Sequence, residues 1–284
     1  MRRIKCFGVL LILVFLAYFA GSCQRTSAPQ SQGDSSVVTD SALLMDSVDI
    51  DSAEFEASVP KRADEFFNDF IYSFTTNRRY QMERIVFPLP YERNGRRSMI
   101  SRSQWHYDRL HTSEEFYTVF FDRESSLELE KSQAVSQVTI EYIDMISELV
   151  KNYFFSRDND QWMLRKVSEY NIDDYYDRDF ILFFERFVSD SLFQQAHLAS
   201  KIEISMEDSE DEFETMTGTI EAEQWFSFCP ELPQEKFYNV NYGQPLDNKR
   251  HRVVALEGFS NGFLSLLFFR LHEDKGWILY KLKS

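Results

Sequence analysis

Four side chains of the kinds used in general acid–base chemistry stand near the middle of the chain: His106, Glu141, Tyr142 and Asp144. A carboxylate, an imidazole and a phenol pass protons well when burial moves their pKa values toward neutrality. The same residues also have a structural reading, with Glu141 on a solvent-facing strand position and His106 at a loop edge, because charged side chains are mostly exposed. Other chemistries find no residues to carry them. The histidines at 106, 111, 197, 251 and 272 form no close pair beyond His106 and His111, whose spacing of five does not stack them on one helix face. The run "EDSEDEFE" at 207–214 lacks the glycine and spaced order of a calcium loop and reads as a solvated acidic loop. There is no glycine-rich phosphate loop and no Gly-x-Ser-x-Gly elbow. No metal and no cofactor is expected.

The elements that must position these residues are spelled twice. "EFYTVFFD" at 115–122 matches "KFYNVNYG" at 236–243, "SQW" at 103–105 matches "EQW" at 223–225, and "FFNDFI" at 66–71 matches "FFERFV" at 183–188. "FFSRDNDQWMLRKV" from Phe154 matches "FFRLHEDKGWILYKL" from Phe268, with Trp162 over Trp277. Four matches in one order imply a duplicated domain, with copies at 61–174 and 175–284, each near the usual domain size. The match sets Glu141 against Leu256 and His106 against Phe226, so an acid–base site would exist in the first copy alone.

Each copy begins with an apolar stripe at helical spacing, Phe66 to Phe74 and Phe180 to Val188. A second short helix is expected at Tyr80–Val86 and at Phe193–Ser200. The repeated phrase reads as a short helix, since Thr112 stands three residues before Glu115 as in a capping box, with Pro233 opening its counterpart. Strands follow at 135–148, 149–156 and 162–169, and at 252–257, 263–271 and 277–282, with "RDND" and "EDKG" as hairpin turns. Helices first and antiparallel strands last make an α+β fold. Phe116 and Phe237 should occupy equivalent buried positions, Phe120 should pack inside the first copy or against the second, and Asn241 should face solvent or a wetter pocket.

The N-terminus carries an address. Arg2, Arg3 and Lys5 precede an apolar run from Cys6 to Ala20, which is shorter than the ~20 residues that span a bilayer and reads as a signal peptide over 1–22. Ala20-Gly21-Ser22-Cys23 resembles the lipobox of bacterial lipoproteins, which implies lipid on Cys23. Gln24 after it resembles outer-membrane sorting. Of three cysteines only Cys229 then remains, so no intramolecular disulfide forms; among Phe226, Phe228 and Pro230 it reads as an inert buried thiol. Residues 23–60, rich in Ser, Asp, Gln, Ala and Thr, read as a flexible acidic tether, within which "LLMDSVDIDSAEF" has the look of a docking peptide. With 31 basic and 46 acidic residues the net charge is -15, which repels phosphate backbones and excludes nucleic acid as a partner.

Helices followed by an antiparallel meander with a Trp on its last strand resemble the nuclear-transport-factor-2-like, or cystatin-like, α+β cone. The whole plan is similar to secreted lipoproteins of unknown function from gut Bacteroidota. The resemblance implies two tandem cone-shaped domains, each with N-terminal helices packed on a curved antiparallel sheet, held at the cell envelope by lipid. Enzymes on this fold place a carboxylate, His or Tyr at the pocket bottom, which is what selects His106, Glu141, Tyr142 and Asp144. The rival reading is a non-catalytic module binding a small molecule, a glycan or a protein, since 27 Phe and 14 Tyr far outnumber the polar groups of any site. Its pocket candidates are Trp105, Tyr117, Trp225 and Tyr238, with the two tryptophans at the mouths of the cones.

Labelled fatty acid is expected to enter the wild-type protein and not Cys23→Ala, because no other cysteine of the mature chain lies near the signal. Metabolic labelling followed by immunoprecipitation checks this, and label in the variant would overturn the lipobox reading.

Overall fold

The computed structural model describes residues 64–207, 215–259 and 261–284. The signal peptide, Cys23, the tether and positions 208–214 of the acidic run lie outside the described residues. In chain order the elements are helices α1 (Phe67–Thr76) and α2 (Arg78–Glu83), then strands β1 (Leu89–Arg93), β2 (Arg96–Ile100), β3 (Phe116–Phe121), β4 (Gln137–Asp144), β5 (Leu149–Asp158) and β6 (Gln161–Asn171). A second set repeats the order: α3 (Arg178–Ser189), α4 (Ser191–Ala196), β7 (Leu198–Glu207), β8 (Thr215–Glu221), β9 (Lys236–Asn241), β10 (His251–Gly258), β11 (Leu264–His272) and β12 (Gly276–Lys283).

Local chemistry explains the helices. α1 and α3 bury Phe stripes, and the side chains of Asn77 and Asp190 cap α2 and α4 by accepting backbone N–H bonds at 2.9–3.1 Å. Phe67 meets Trp162 edge-on at 5.1 Å and Phe180 meets Trp277 in the same way at 5.1 Å. Phe67 therefore corresponds to Phe180, and the sequence match of 66–71 with 183–188 is one helical turn out of step. Either register presents a Phe stripe, so letters alone could not choose.

The strands join one mixed sheet in the order β2-β1-β6-β5-β4-β9-β3-β10-β11-β12-β7-β8. Replacing each strand by its counterpart reverses this order into itself. The middle of the sheet departs from two closed cones. β3 pairs antiparallel with β10 of the second set, and β9 pairs antiparallel with β4 of the first. Each set lends its third strand to the other, and the borrowed strands meet in parallel through the single registered pair Thr118 and Asn239.

The repeated phrase is thus strand, not short helix. Its aromatic and β-branched residues suit a pleated surface, and helix layers bury both faces of it. Tyr117, Val119 and Phe121 pack in the core of α1 with Phe67, Phe70, Phe74, Phe155 and Trp162. Phe120 points the other way, into the core of α3 with Phe180, Phe184, Phe187, Phe269 and Trp277. Side chains alternate along a strand, so the two cores lie on opposite faces of the sheet. Phe116 and Phe237 both turn to the α3 side, Phe237 buried and Phe116 partly so. They are matched letters on one face rather than equivalents in two cores, since a one-residue slip exchanges faces.

With one ladder pair at the seam, side chains satisfy the remaining backbone groups. Asn239 Oδ1 accepts the Phe120 N–H at 3.1 Å, Thr118 Oγ1 donates to the Tyr238 carbonyl at 3.0 Å, and Gln244 Nε2 donates to the carbonyls of Phe120 and Val240 at 2.8 and 3.3 Å. Two hairpins, β1–β2 and β7–β8, have no place in the sequence reading. The first turns on Asn94-Gly95, both at positive φ, a recognisable two-residue turn. The second occupies the place where the helix was expected to reach Ser200, because α4 stops at Ala196 and β7 starts at Leu198.

Phe120→Ala is expected to cost ~3–5 kcal/mol, the range for a large core aromatic. Gln244→Ala should cost ~1–3 kcal/mol by stranding buried carbonyls. Equilibrium urea unfolding measures both, and negligible loss from Gln244→Ala would mean the seam does not depend on its amide.

Candidate functional site

Glu141 lies on β4 beside the seam, on the α3 side, and is 1 % exposed. Its Oε2 accepts the Tyr175 hydroxyl at 2.7 Å, the Asn239 amide at 2.8 Å and the Tyr176 hydroxyl at 3.3 Å; Asn241 donates to Oε1 at 3.4 Å. All four donors are neutral. Burial pushes the carboxyl above the usual glutamate range, and these hydrogen bonds oppose that shift only in part. Burial also holds the hydroxyls of Tyr175 and Tyr176 well above the usual phenol range.

Each donor has a structural reason to be there. Asn239 is fixed from behind by the Phe120 N–H, so its amide can turn only toward Glu141. Tyr175 and Tyr176, with ring centroids 4.4 Å apart, lie in the connection between β6 and α3. The next residue, Asp177, is gripped by Arg252 of β10 through a buried two-bond pair at 2.7 and 2.8 Å. That pair pins the tyrosine doublet over the carboxylate. Tyr176 keeps its ring half exposed while its hydroxyl turns inward, and Asn241 is half-buried beside it, so these two form the rim.

The residues selected from the sequence do not converge. Glu141 is buried, which removes its solvent-facing reading. Tyr142 and Asp144 alternate with it and point to the opposite face. Tyr142 packs on Tyr238 at 5.1 Å, and Asp144 closes a turn by accepting the N–H groups of Ile146 and Ser147, both at 3.1 Å. His106 is exposed in a loop. Of the pocket candidates, Trp225 is wholly buried in the core of α3 and lines no mouth, because the short helical segment Ala222–Ser227 carries its ring inward. Trp105 is half-buried and donates to Gln81 Oε1 at 3.0 Å. Tyr238 is half-buried, and Tyr117 is buried with its hydroxyl on Glu257 at 2.8 Å. Burial pushes the Cys229 thiol up to about 12, too high for a nucleophile at neutral pH.

Sequence reasoning missed Asn239, Tyr175 and Tyr176. The Asn that replaces Thr118 in the second phrase was a signal; the Tyr-Tyr doublet was visible but had no partner in the repeat to mark it.

A domain of unknown function, DUF4348, matches residues 46–284 of the chain. The chain belongs to the DUF4348 family. A crystal structure of an NTF2-like protein from Bacteroides fragilis NCTC 9343 is similar to this DUF4348 chain, with 39% sequence identity and a TM-score of 0.73 over 79% of this chain and 97% of that one. That likeness gives the DUF4348 fold an NTF2-like neighbour. No curated protein matches the chain.

Since Glu141 titrates above its unfolded value of 4.5, its stability contribution is complete below that value and lost as pH rises through the folded pKa. Unfolding free energies measured from pH 4 upward should therefore fall less steeply in Glu141→Gln than in wild type. Identical slopes would show that burial does not raise the pKa of this carboxyl.

Proposed function

We propose that the chain is a lipid-anchored, non-catalytic binding module of the cell envelope, attached through Cys23 to the outer membrane, with Glu141 at the base of its ligand site. Two structural sets, α1 to β6 and α3 to β12, are joined through their third strands in its folded part. The observation that carries the reading is the unequal grip on Glu141. Tyr175 and Asn239 hold it from inside at 2.7 and 2.8 Å, whereas Tyr176 and Asn241 reach it from the rim at 3.3 and 3.4 Å. The two long bonds are the weaker ones, and a ligand hydroxyl can replace them without disturbing the inner pair.

The non-catalytic reading is favoured by the company Glu141 keeps: its four partners are two amides and two phenols held in the protonated form, with no second carboxyl or imidazole beside it among the described residues. A half-exposed tyrosine ring beside amide and carboxylate acceptors suits a glycan, whose ring stacks on an aromatic face while its hydroxyls take the polar groups.

A glycan array probed with the mature chain should give a binder that Tyr176→Ala and Asn241→Ala each weaken at least roughly tenfold, the effect of one good hydrogen bond or ring contact. Circular dichroism should show both variants folded. No glycan bound by the wild type, or equal binding by the variants, would overturn the reading.

A further inference from the structure

Arginine is gathered at one end of the sheet. Between residues 78 and 109 the chain has eight arginines, no lysine and three acidic residues, although its net charge is -15. Contacts make these positions one surface. Arg102 Nη2 donates to the Met82 carbonyl at 2.9 Å, with its guanidinium over the Phe87 ring, while Trp105 donates to Gln81 Oε1 at 3.0 Å and Gln81 Nε2 donates to the Asp108 carbonyl at 2.7 Å. The loop after β2 is thereby tied to α2. Four of the arginines meet carboxylates, the most buried pair being Arg84 with Asp64 at 2.6 Å. The other four, Arg78, Arg96, Arg102 and Arg109, are exposed and have no carboxylate partner among the described residues.

The same surface holds an open strand edge. β2 is last in the sheet order and pairs only with β1. Arg93 and Arg96 stand opposite each other on either side of the Asn94-Gly95 turn. In a two-residue hairpin that flanking pair exchanges both its hydrogen bonds, and the next and alternate residues turn theirs outward. Arg97 and Met99 therefore aim their N–H and C=O groups away from β1, where no strand lies among the described residues. Their side chains share one face and are free, 87 % exposed for Arg97 and 55 % for Met99. Arg96 lies on the other face.

Charge on an edge strand commonly serves to prevent pairing. The far end of the sheet argues against that purpose here, because β8, the other edge, is exposed along most of its length and has no charged residue between Thr215 and Ile220. Arginine also differs from lysine in presenting a planar fork that takes a carboxylate, phosphate or sulfate through two hydrogen bonds. Sulfated glycans and phosphate headgroups supply such oxyanions, but neither has a backbone to meet the outward groups of Arg97 and Met99. An extended acidic peptide supplies both. The acidic remainder of the chain repels such a peptide and confines it to this end.

We propose that β2 is a docking edge, separate from Glu141, for an extended acidic peptide of a partner protein. The peptide adds as a further strand beside Arg97 and Met99, and its alternating carboxylates go to Arg96 on one face and Arg97 on the other. No covalent bond changes.

Fluorescence anisotropy of a labelled decapeptide of alternating Thr and Glu, titrated with the mature chain, tests this. Saturable binding is expected, weakened at least roughly tenfold in Arg96→Gln/Arg97→Gln, the effect of losing one good interaction. Met99→Pro leaves every arginine in place and removes one outward N–H that β1 does not use, so it should weaken binding by a similar factor. Circular dichroism should show both variants folded. A decapeptide of equal charge with proline at every third position should bind at least roughly tenfold more weakly than the Thr-Glu peptide, since it cannot form a ladder. No binding of the Thr-Glu peptide, equal binding of the proline peptide, or unchanged binding in either variant would overturn the proposal. So would tighter binding of a heparin hexasaccharide or of phosphatidylglycerol vesicles, which would assign the arginines to a sulfated glycan or to a membrane.

Discussion

A strand with both faces buried cannot send a polar group to water, and the middle of this sheet is made of such strands. β3 and β10 are buried along nearly their whole length. Between β3 and β9 the backbone ladder provides one registered pair. Every other backbone group at the seam needs a side-chain partner or remains unsatisfied at a cost of a few kcal/mol. Asn239, Thr118 and Gln244 are those partners, and the join between the two sets of elements depends on them.

The acidic centre follows from the same constraint. Asn239 has two ends; once one is committed to the Phe120 N–H, the other presents a donor toward β4, and a carboxylate is the strongest acceptor that position can offer. Glu141 is then surrounded by neutral donors, so burial raises its pKa with no cation to oppose the shift. Across the sheet, Ala255 and Val119 stand where an acceptor and a donor, respectively, would be needed to repeat the arrangement. The pairing of Ala255 with Val119 is apolar, so the repeated element order carries one such centre at the seam among the described residues.

The helices and the last three strands of each set were legible in the residues, since Phe stripes at helical spacing and apolar runs ending at a Trp depend only on near neighbours. The lateral pairing was not. A strand such as "FYTVFF" carries the same alternation whether it lies beside β4 or β10, and nothing local marks the exchange. Glu141 was selected by residue type, but its partners come from 34 to 100 positions away. Trp225 failed for a related reason: a Trp before a short helical turn reads equally well as a lip or as a plug, and here the ring fills the core of α3.

The exchange of third strands also sets an order of assembly. β3 leaves the ribosome at residue 116, but its antiparallel partner β10 begins at His251, and β4 must wait for β9 at Lys236. Until then the first set presents an unpaired edge at β4 and an apolar strand with both faces bare. The chain thus cannot complete its first half as a finished domain. It closes in one late event, when nearly the whole polypeptide has been made, and its exposed edge until that moment is the kind of surface that chaperones hold.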